Sequence, residues 1–425
     1  MGPDLRFGAC KELESDPALF TLLVEEFGCN EVEVEEVYDL DSLETLSADS
    51  FGLIFLFKWA NSIAQNSRSF GSRRNRASRN PESSPDENST ASDENGNVTL
   101  FDAAISQRLF FAHQVVPNSC ASHALLSVLL NCSDRLNLGA WLLEMKEKLC
   151  QIEDPELRGF AIGNMPEFIA KHNRFACFEP PSISDLAGAT TTSLGQGETF
   201  HYCCYIPYED SLYELDGLKA WPINHGQTGG QWLEKAKNVI SLRISRAREK
   251  DQGCHDIRYN LMSVVPSRKL RIRKQIVEQR GELTNKLRVL NRLAISKAEK
   301  DATLEEVDEA RKSVRKALEI GEDKELNGVD NVKQESLPQN VEEFCSLVKT
   351  SCQEFEELRI KFEEEDEKHL RYERDAERRS HDYGLFIQKF IEFLHRNGSL
   401  QHVIDESQTK AMLSSRMRKK PKSFS

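Results

Sequence analysis

The chain has 425 residues, long enough for two or three domains and at least one sizeable core. Its formal net charge of −13 argues against a protein that binds polyanions through its overall charge. Its eleven cysteines, an odd number with no CxxC pair, argue against a disulfide framework or a structural zinc site and for a reducing compartment.

In chain order, the opening "MGPDLRFGAC" has no apolar run of the kind a secretory leader carries, so none is expected. Ser15-Asp16-Pro17 reads as a helix start, a cap followed by Pro in the first turn. Phe20, Leu22, Leu23, Val24 and Phe27 continue it, and Gly28 stops it. "VEVEEVYDL" alternates as a strand does. "FGLIFLFKW" (residues 51–59), the strongest apolar run, is far too short to cross a bilayer and reads as a buried strand, so no membrane span is expected. Residues 61–100 are rich in Ser, Asn and Arg and nearly free of large apolar side chains. They bury too little to offset the entropy of ordering and read as a disordered insertion, basic first (Arg73, Arg74, Arg76, Arg79) and acidic afterwards. A solvated loop is preferred there over a nucleic-acid contact.

From about residue 105 to 245 the pattern is globular. Helices are expected at 120–131, 140–149, 165–172 and 231–245, with a β-hairpin at 200–216. This mixture indicates an α/β (α+β) core, and the catalytic domain is expected to span residues 10–245. Residues 268–320 and 341–380 are charged and helical in pattern, with no Pro inside either. Ile276, Leu283, Leu287 and Leu290 make one apolar stripe; Phe344, Leu347, Val348, Phe355, Leu358 and Phe362 make another. Such stripes need partners, either each other, as an αα-hairpin or coiled coil, or a second protein. "SRKLRIRKQ" sets five positive charges near a helix start, where the helix dipole disfavours them, a pointer to some use for that charge. "HDYGLFIQKFIEFLHRNGSL" reads as a compact amphipathic helix closed by Gly398. A helical extension over residues 255–408 and a basic tail over 409–425 complete the division. The tail carries Arg416, Arg418, Lys419, Lys420 and Lys422 and has no acid after Glu406. It suits a nuclear localisation signal or a phosphate-backbone contact.

The chemistry centres on "QVVPNSCASHALLSVLLNC". With Asn118 or Ser119 as N-cap, Cys120 falls in the first turn of a helix, where the partial positive charge favours thiolate over thiol. A nucleophilic cysteine needs a general base, and ten histidines compete. His123 lies on the same helix and points toward a neighbouring face, and His113 is close in sequence. His201 is better placed. Folding "HYCCYIPYEDSLYELDG" about Tyr208-Glu209 sets His201 opposite Asp216 on one face, where a carboxylate orients an imidazole and stabilises its charged form. The Cys120 amide and the Gln114 side chain are candidate oxyanion donors. From spacing alone, one site and four unrelated residues remain equally good descriptions.

"FFAHQVVPNSCASHALLSVLLNC" and "FHYCCYIPYEDSLYELDGLKAWPINHG" resemble the catalytic blocks of the ubiquitin C-terminal hydrolases, which are papain-like cysteine proteases. "ESDPALFTLLVEEFG" resembles that family's N-terminal block, and "FAIGNMPEFIAKHN" the segment before its crossover loop, here about residues 175–198. The resemblance covers about residues 10–245 and implies a papain-like core with an antiparallel-rich central sheet flanked by helices. It implies Cys120 as nucleophile, His201 as general base and acid, Asp216 as the group orienting His201, and Gln114 as oxyanion stabiliser, with no cofactor and no metal. The C-terminal blocks and basic tail resemble the Calypso type, known in mammals as the BRCA-associated hydrolase. That implies a nuclear Polycomb deubiquitinase acting on ubiquitin attached to nucleosomal histone 2A. It also implies activation by the deubiquitinase-adaptor domain of an Additional-sex-combs-type protein. The proteasome-associated branch and a ubiquitin-binding scaffold with an inert thiol are the alternatives. Two departures stand out. Cys10 or Lys11 occupies a position where the family usually has Trp, and "PYEDS" replaces a Gly-containing turn of the same length.

Overall fold

The computed structural model of the chain describes residues 10–44, 49–58, 90–92, 98–100, 102, 104–176, 200–250, 259–296, 303–319 and 340–406. Helix α1 (Pro17–Glu26) begins as its sequence requires: the Asp16 carboxylate accepts the Ala18 amide at 2.9 Å and Pro17 opens the first turn. Gly28, at φ +101°, ends it. Then come β1 (Val32–Glu36), β2 (Gly52–Lys58), β3 (Thr90–Ser92) and β4 (Val98–Leu100). Four helices follow, α2 (Cys120–Asn131), α3 (Gly139–Cys150), α4 (Pro155–Gly163) and α5 (Pro166–Asn173). β5 (Phe200–Tyr208), β6 (Ser211–Leu215), β7 (Ile223–Gln227), α6 (Trp232–Lys250) and β8 (Tyr259–Pro266) complete the first part. The helical extension contains α7 (Arg268–Ser296), α8 (Thr303–Ala317), α9 (Val341–Ser380) and α10 (Gly384–Arg396).

The core is a six-stranded sheet in the order β1-β8-β2-β5-β6-β7, antiparallel at every described pairing. β2 lies inside it and is apolar on both faces. Leu53 and Phe55 face one cluster with α6, formed by Trp232, Ala236, Ile240 and Ile244. Ile54 faces the other, with α1, α2 and α3. This is why "FGLIFLF" reads as a continuous apolar run rather than an alternating one.

Four expectations need correction. Strand β8 pairs with both β1 and β2, so residues 259–266, expected within the helical extension, belong to the sheet. Its strand pattern is short and sits between two charged helical stretches, which obscures it. Within the segment read as a disordered insertion, Thr90–Ser92 and Val98–Leu100 pair as a small antiparallel ladder; residues 61–89 and 93–97 lie outside the described residues. The α9 stripe is displaced by a fraction of a turn: Cys345, Val348, Cys352 and Phe355 are buried, whereas Leu347 is exposed. Finally, two of the five charges in "SRKLRIRKQ" are taken up internally. Arg268 pairs with Glu35 at 2.7 Å, and Lys269 with Asp366 at 2.5 Å. The expected crossover segment lies almost wholly outside the described residues, as does the basic tail.

α7, α8 and α9 pack on one another around Leu283, Leu287, Leu290, Val307, Val314 and Phe355. The second half of α9 then returns to the sheet domain. Ala376 joins the main core, His369 Nε2 meets both Glu25 carboxylate oxygens at 2.8 Å, and Arg379 donates to Asp16 Oδ2 at 2.6 Å. α10 buries none of its residues; Phe386 is 66% and Phe393 56% exposed. No helix among the described residues is long and apolar enough to cross a membrane.

Leu287 is wholly buried where the three helices meet. Leu287→Ala should cost about 2–5 kcal/mol of extension stability, read as a lowered melting temperature by circular dichroism. An unchanged melt would show that this cluster does not hold the extension together.

Candidate active site

Cys120 is the first residue of α2, delivered by Asn118 in the left-handed region at φ +62°. Ser119 occupies the N-cap, but its hydroxyl donates to the Val116 carbonyl at 2.7 Å and accepts no helix amide. The helix start is therefore open to an incoming anion, because no side chain fills its first amides. Cys120 is partly exposed on a cleft of about 480 Å³, walled by Leu13, Ser15, Asn118, Phe200 and Tyr202.

The hairpin register differs from the expected one. Its turn is Glu209-Asp210, both in the left-handed region at φ 45° and 59°. It pairs Tyr208 with Ser211 and Cys204 with Leu215. Continued outward, that register sets His201 across from residue 218, and Asp216 two positions closer to the turn. A slip of two residues preserves the face, whereas a slip of one would have reversed it. His201 and Asp216 meet as diagonal neighbours, with Nε2···Oδ1 at 2.6 Å. Both are buried, His201 at 4% and Asp216 at 1% exposure. Asp216 Oδ1 also accepts the Leu218 amide at 3.0 Å, which fixes the carboxylate just past the strand end.

The pair sets its own charges. Burial opposes the imidazolium, but the Asp216 carboxylate and the Cys120 sulfur, both in hydrogen-bonding reach, outweigh it and raise His201 to about 9. Burial likewise opposes the Asp216 carboxylate. The charge and hydrogen bond of His201, with the Leu218 amide, outweigh it and hold Asp216 below the usual carboxylate range. Since Nε2 is engaged by Asp216, Nδ1 is the nitrogen left to face Cys120. Elsewhere burial dominates: it pushes the Cys10 and Cys132 thiols up to about 11 and drives His123 down to about 4.

Gln114 reaches the same region by a backbone route. Its amide donates to the Gly217 carbonyl at 2.8 Å, joining the segment before α2 to the loop after β6. The approach is so close that a Cβ on Gly217 would lie 2.9 Å from the Gln114 backbone nitrogen. α4 supports this segment from below: His113 donates its amide to the Pro155 carbonyl at 2.9 Å. The Gln114 side-chain amide makes one long bond of 3.4 Å, to the Val116 carbonyl. Its Oε1 is buried without a hydrogen-bond partner.

Sequence reasoning missed two groups. His172 links Ser122 Oγ at 2.7 Å to the Lys11 carbonyl at 2.8 Å, tying the N-terminal segment that walls the cleft to α2. Behind the sheet, the partly buried Arg243 and His225 form a polar network with the buried Glu214 and Tyr205. Arg243 and His225 together hold Glu214 far below the usual carboxylate range, against the opposing effect of burial. The spacing of Tyr205 and Glu214 about the hairpin centre was the available signal for that network.

A thiol at an open helix start, an imidazole within reach of it and a buried carboxylate behind the imidazole define a papain-like thiol hydrolase site. Residues 11–245 match the family model described as ubiquitin carboxyl-terminal hydrolase, family 1, and residues 355–400 match a second, described as ubiquitin carboxyl-terminal hydrolases. The chain belongs to the ubiquitin carboxyl-terminal hydrolases, a family of cysteine-protease deubiquitinases. It is 36% identical over 402 residues to ubiquitin carboxyl-terminal hydrolase calypso of Drosophila virilis, covering 93% of this chain and 76% of the relative. It is 44% identical over 267 residues to ubiquitin carboxyl-terminal hydrolase BAP1 of Danio rerio, covering 62% of this chain but 32% of the relative. The chain thus spans about a third of that BAP1 and about three quarters of that calypso. Among solved structures, the Trichinella spiralis UCH37 catalytic domain bound to ubiquitin vinyl methyl ester is 30% identical. That match covers 61% of this chain and 97% of that one, with a TM-score of 0.43.

Asp216→Asn removes the carboxylate that keeps His201 charged. The His201 imidazole, followed by NMR titration, should fall from about 9 toward its ordinary 6.5, because burial is then opposed by Cys120 alone. A value that stays near 9 would show that Asp216 does not set it.

Proposed function

We propose that the chain is the catalytic subunit of a nuclear Polycomb deubiquitinase complex that removes ubiquitin from nucleosomal histone 2A. The juxtaposition of Cys120, His201 and Asp216 at an open helix start carries this reading, because it sets a partly exposed nucleophile against a buried proton carrier and a buried orienting anion. Similarity to calypso and BAP1 proteins supports the choice of branch.

In this reading the Cys120 thiolate attacks the carbonyl carbon of ubiquitin's terminal glycine. The carbonyl electron pair moves onto oxygen, where the Cys120 amide and the Gln114 side-chain amide receive it. The 3.4 Å bond from Gln114 to Val116 is long enough to be exchanged readily for the oxyanion. His201, protonated through Nδ1, gives its proton to the leaving amine, and a thioester to Cys120 remains. Water then attacks that thioester, His201 takes one of its protons, and the tetrahedral intermediate expels the Cys120 thiolate; the ubiquitin carboxylic acid gives its remaining proton to solvent and leaves as carboxylate. Asp216 keeps Nε2 fixed throughout, so the imidazole cycles between charge states without rotating.

The extension supplies partner contacts. The uncovered apolar face of α10, with Phe386, Phe390 and Phe393, suits a helical partner such as the deubiquitinase-adaptor domain of an Additional-sex-combs-type protein. Arg271, Arg273 and Lys274 are exposed on α7 and, with the tail residues Arg416, Arg418, Lys419, Lys420 and Lys422, suit nucleosomal DNA or an acidic histone surface.

Activity on ubiquitinated nucleosomes, with and without candidate adaptor domains, tests the assignment. Wild type should release ubiquitin faster with adaptor, and Cys120→Ser should release none. Release by Cys120→Ser would refute the assignment. Deleting residues 416–425 should weaken nucleosome binding and flatten its salt dependence; unchanged affinity would remove the tail from the account.

A further inference from the structure

The sheet register places a second polar group beside the His201–Asp216 pair. β2 and β5 pair Phe57 with His201 and Phe55 with Cys203. β5 and β6 pair Tyr205 with Glu214. Directly paired residues share a face, and alternate residues along a strand return to it. His201, Tyr205, Phe57 and Glu214 therefore line one face, the one that α6 covers. From α6, Arg243 reaches onto that face. Its Nη1 donates to Glu214 Oε1 at 2.8 Å and to the Tyr205 hydroxyl at 2.9 Å. Its guanidinium carbon stands 3.9 Å above the centre of the Phe57 ring. Phe57 in turn meets His201 edge to face, with centroids 5.7 Å apart and planes at 85°. Glu214 is anchored through its other oxygen by His225 Nε2 at 3.1 Å.

Asp216 and Cys120 hold His201 through its ring nitrogens, which leaves the tilt of the ring plane about the line between them to be set by what packs against it. A wall against the imidazole sets that tilt, provided the wall itself is held. A phenyl ring flanked by strand neighbours can swing; a cation stacked on its face resists this, most strongly where water is excluded. Arg is suited to the task because its flat guanidinium stacks and donates at once, which an ammonium cannot do. We propose that Arg243 is a positioning residue for His201, clamping the Phe57 ring so that the imidazole holds Nε2 on Asp216 and Nδ1 toward Cys120. This rests on His201 being the proton carrier of a Cys120-dependent hydrolase.

Position and charge predict opposite pH effects. The titratable groups facing His201 are Asp216, Cys120 and His123, with Arg243 and Glu214 one layer beyond. Losing the guanidinium charge alone makes the imidazolium easier to keep, which moves the alkaline limb of kcat/KM up. Losing the orientation separates His201 from Asp216 and Cys120, which moves that limb down from about 9 toward 6.5.

The test uses the full chain with ubiquitin carrying a fluorogenic C-terminal amide, comparing wild type, Arg243→Met, Arg243→Lys and Phe57→Leu. Arg243→Met should lower kcat roughly ten- to a hundredfold, change KM by less than about twofold, and move the alkaline limb down. Phe57→Leu, which leaves the Arg243–Glu214 pair in place, should move the limb the same way, and Arg243→Lys should fall between. An alkaline limb that stays or rises in Arg243→Met overturns the proposal, as does a wild-type profile for Phe57→Leu. If Arg243→Met fails to fold, Phe57→Leu decides alone. Wild type without Cys120-dependent turnover defeats the hydrolase reading; turnover with unmoved variants defeats only the role of Arg243.

Discussion

Removing an imidazole and a carboxylate from water together carries a desolvation cost that only a short, well-aligned bond between them offsets. His201 and Asp216 meet this condition at 2.6 Å, and the surrounding fold is arranged to keep it met. The hairpin turn at Glu209-Asp210 sets the register that brings them to one face. β2 on one side and α6 behind exclude solvent from that face. α2, packed against β5, begins at Cys120, which lies within hydrogen-bonding reach of the imidazole. Change the register by one residue and the pair would separate to opposite faces, leaving a buried charge without a partner on either.

The extension is physically continuous with this arrangement. α9 belongs to the three-helix cluster at its start and to the main core at Ala376. Near its end Arg379 contacts Asp16, the cap of α1, and Glu14, a residue lining the Cys120 cleft. The apolar face of α10 begins four residues after α9 ends. A partner that covers α10 would therefore act on a helix already tied to the wall of the cleft, through contacts that are partly exposed and individually modest.

Much of this was legible in the sequence, and the failures have physical causes. The start of α1 was legible because capping chemistry is local: Asp16, Pro17 and Gly28 state the limits of a helix by themselves. β2 was legible because an inner strand buries both faces. The face shared by His201 and Asp216 was legible, but the turn was misplaced by one residue. Nothing in "PYED" announces that Glu209 and Asp210, neither of them glycine, adopt positive φ. β8 was hidden because its place in the sheet is decided by pairing with strands more than two hundred residues away. Arg243 was hidden for a similar reason. On a charged helix an arginine reads as solvated, and only the Phe57 ring and Glu214 carboxylate, contributed by two other elements, draw it against the sheet. The open helix start at Cys120 depended on which atom the Ser119 hydroxyl chose, and composition does not decide that.

The account depends most directly on Cys120 being the one thiol that the buried pair serves. Reaction of the chain with ubiquitin bearing a C-terminal vinyl methyl ester, followed by peptide mapping of all eleven cysteines, measures this. The account predicts a single ubiquitin adduct, on the peptide containing Cys120, lost in His201→Ala. An adduct on any other cysteine, or full labelling of Cys120 without His201, would contradict it.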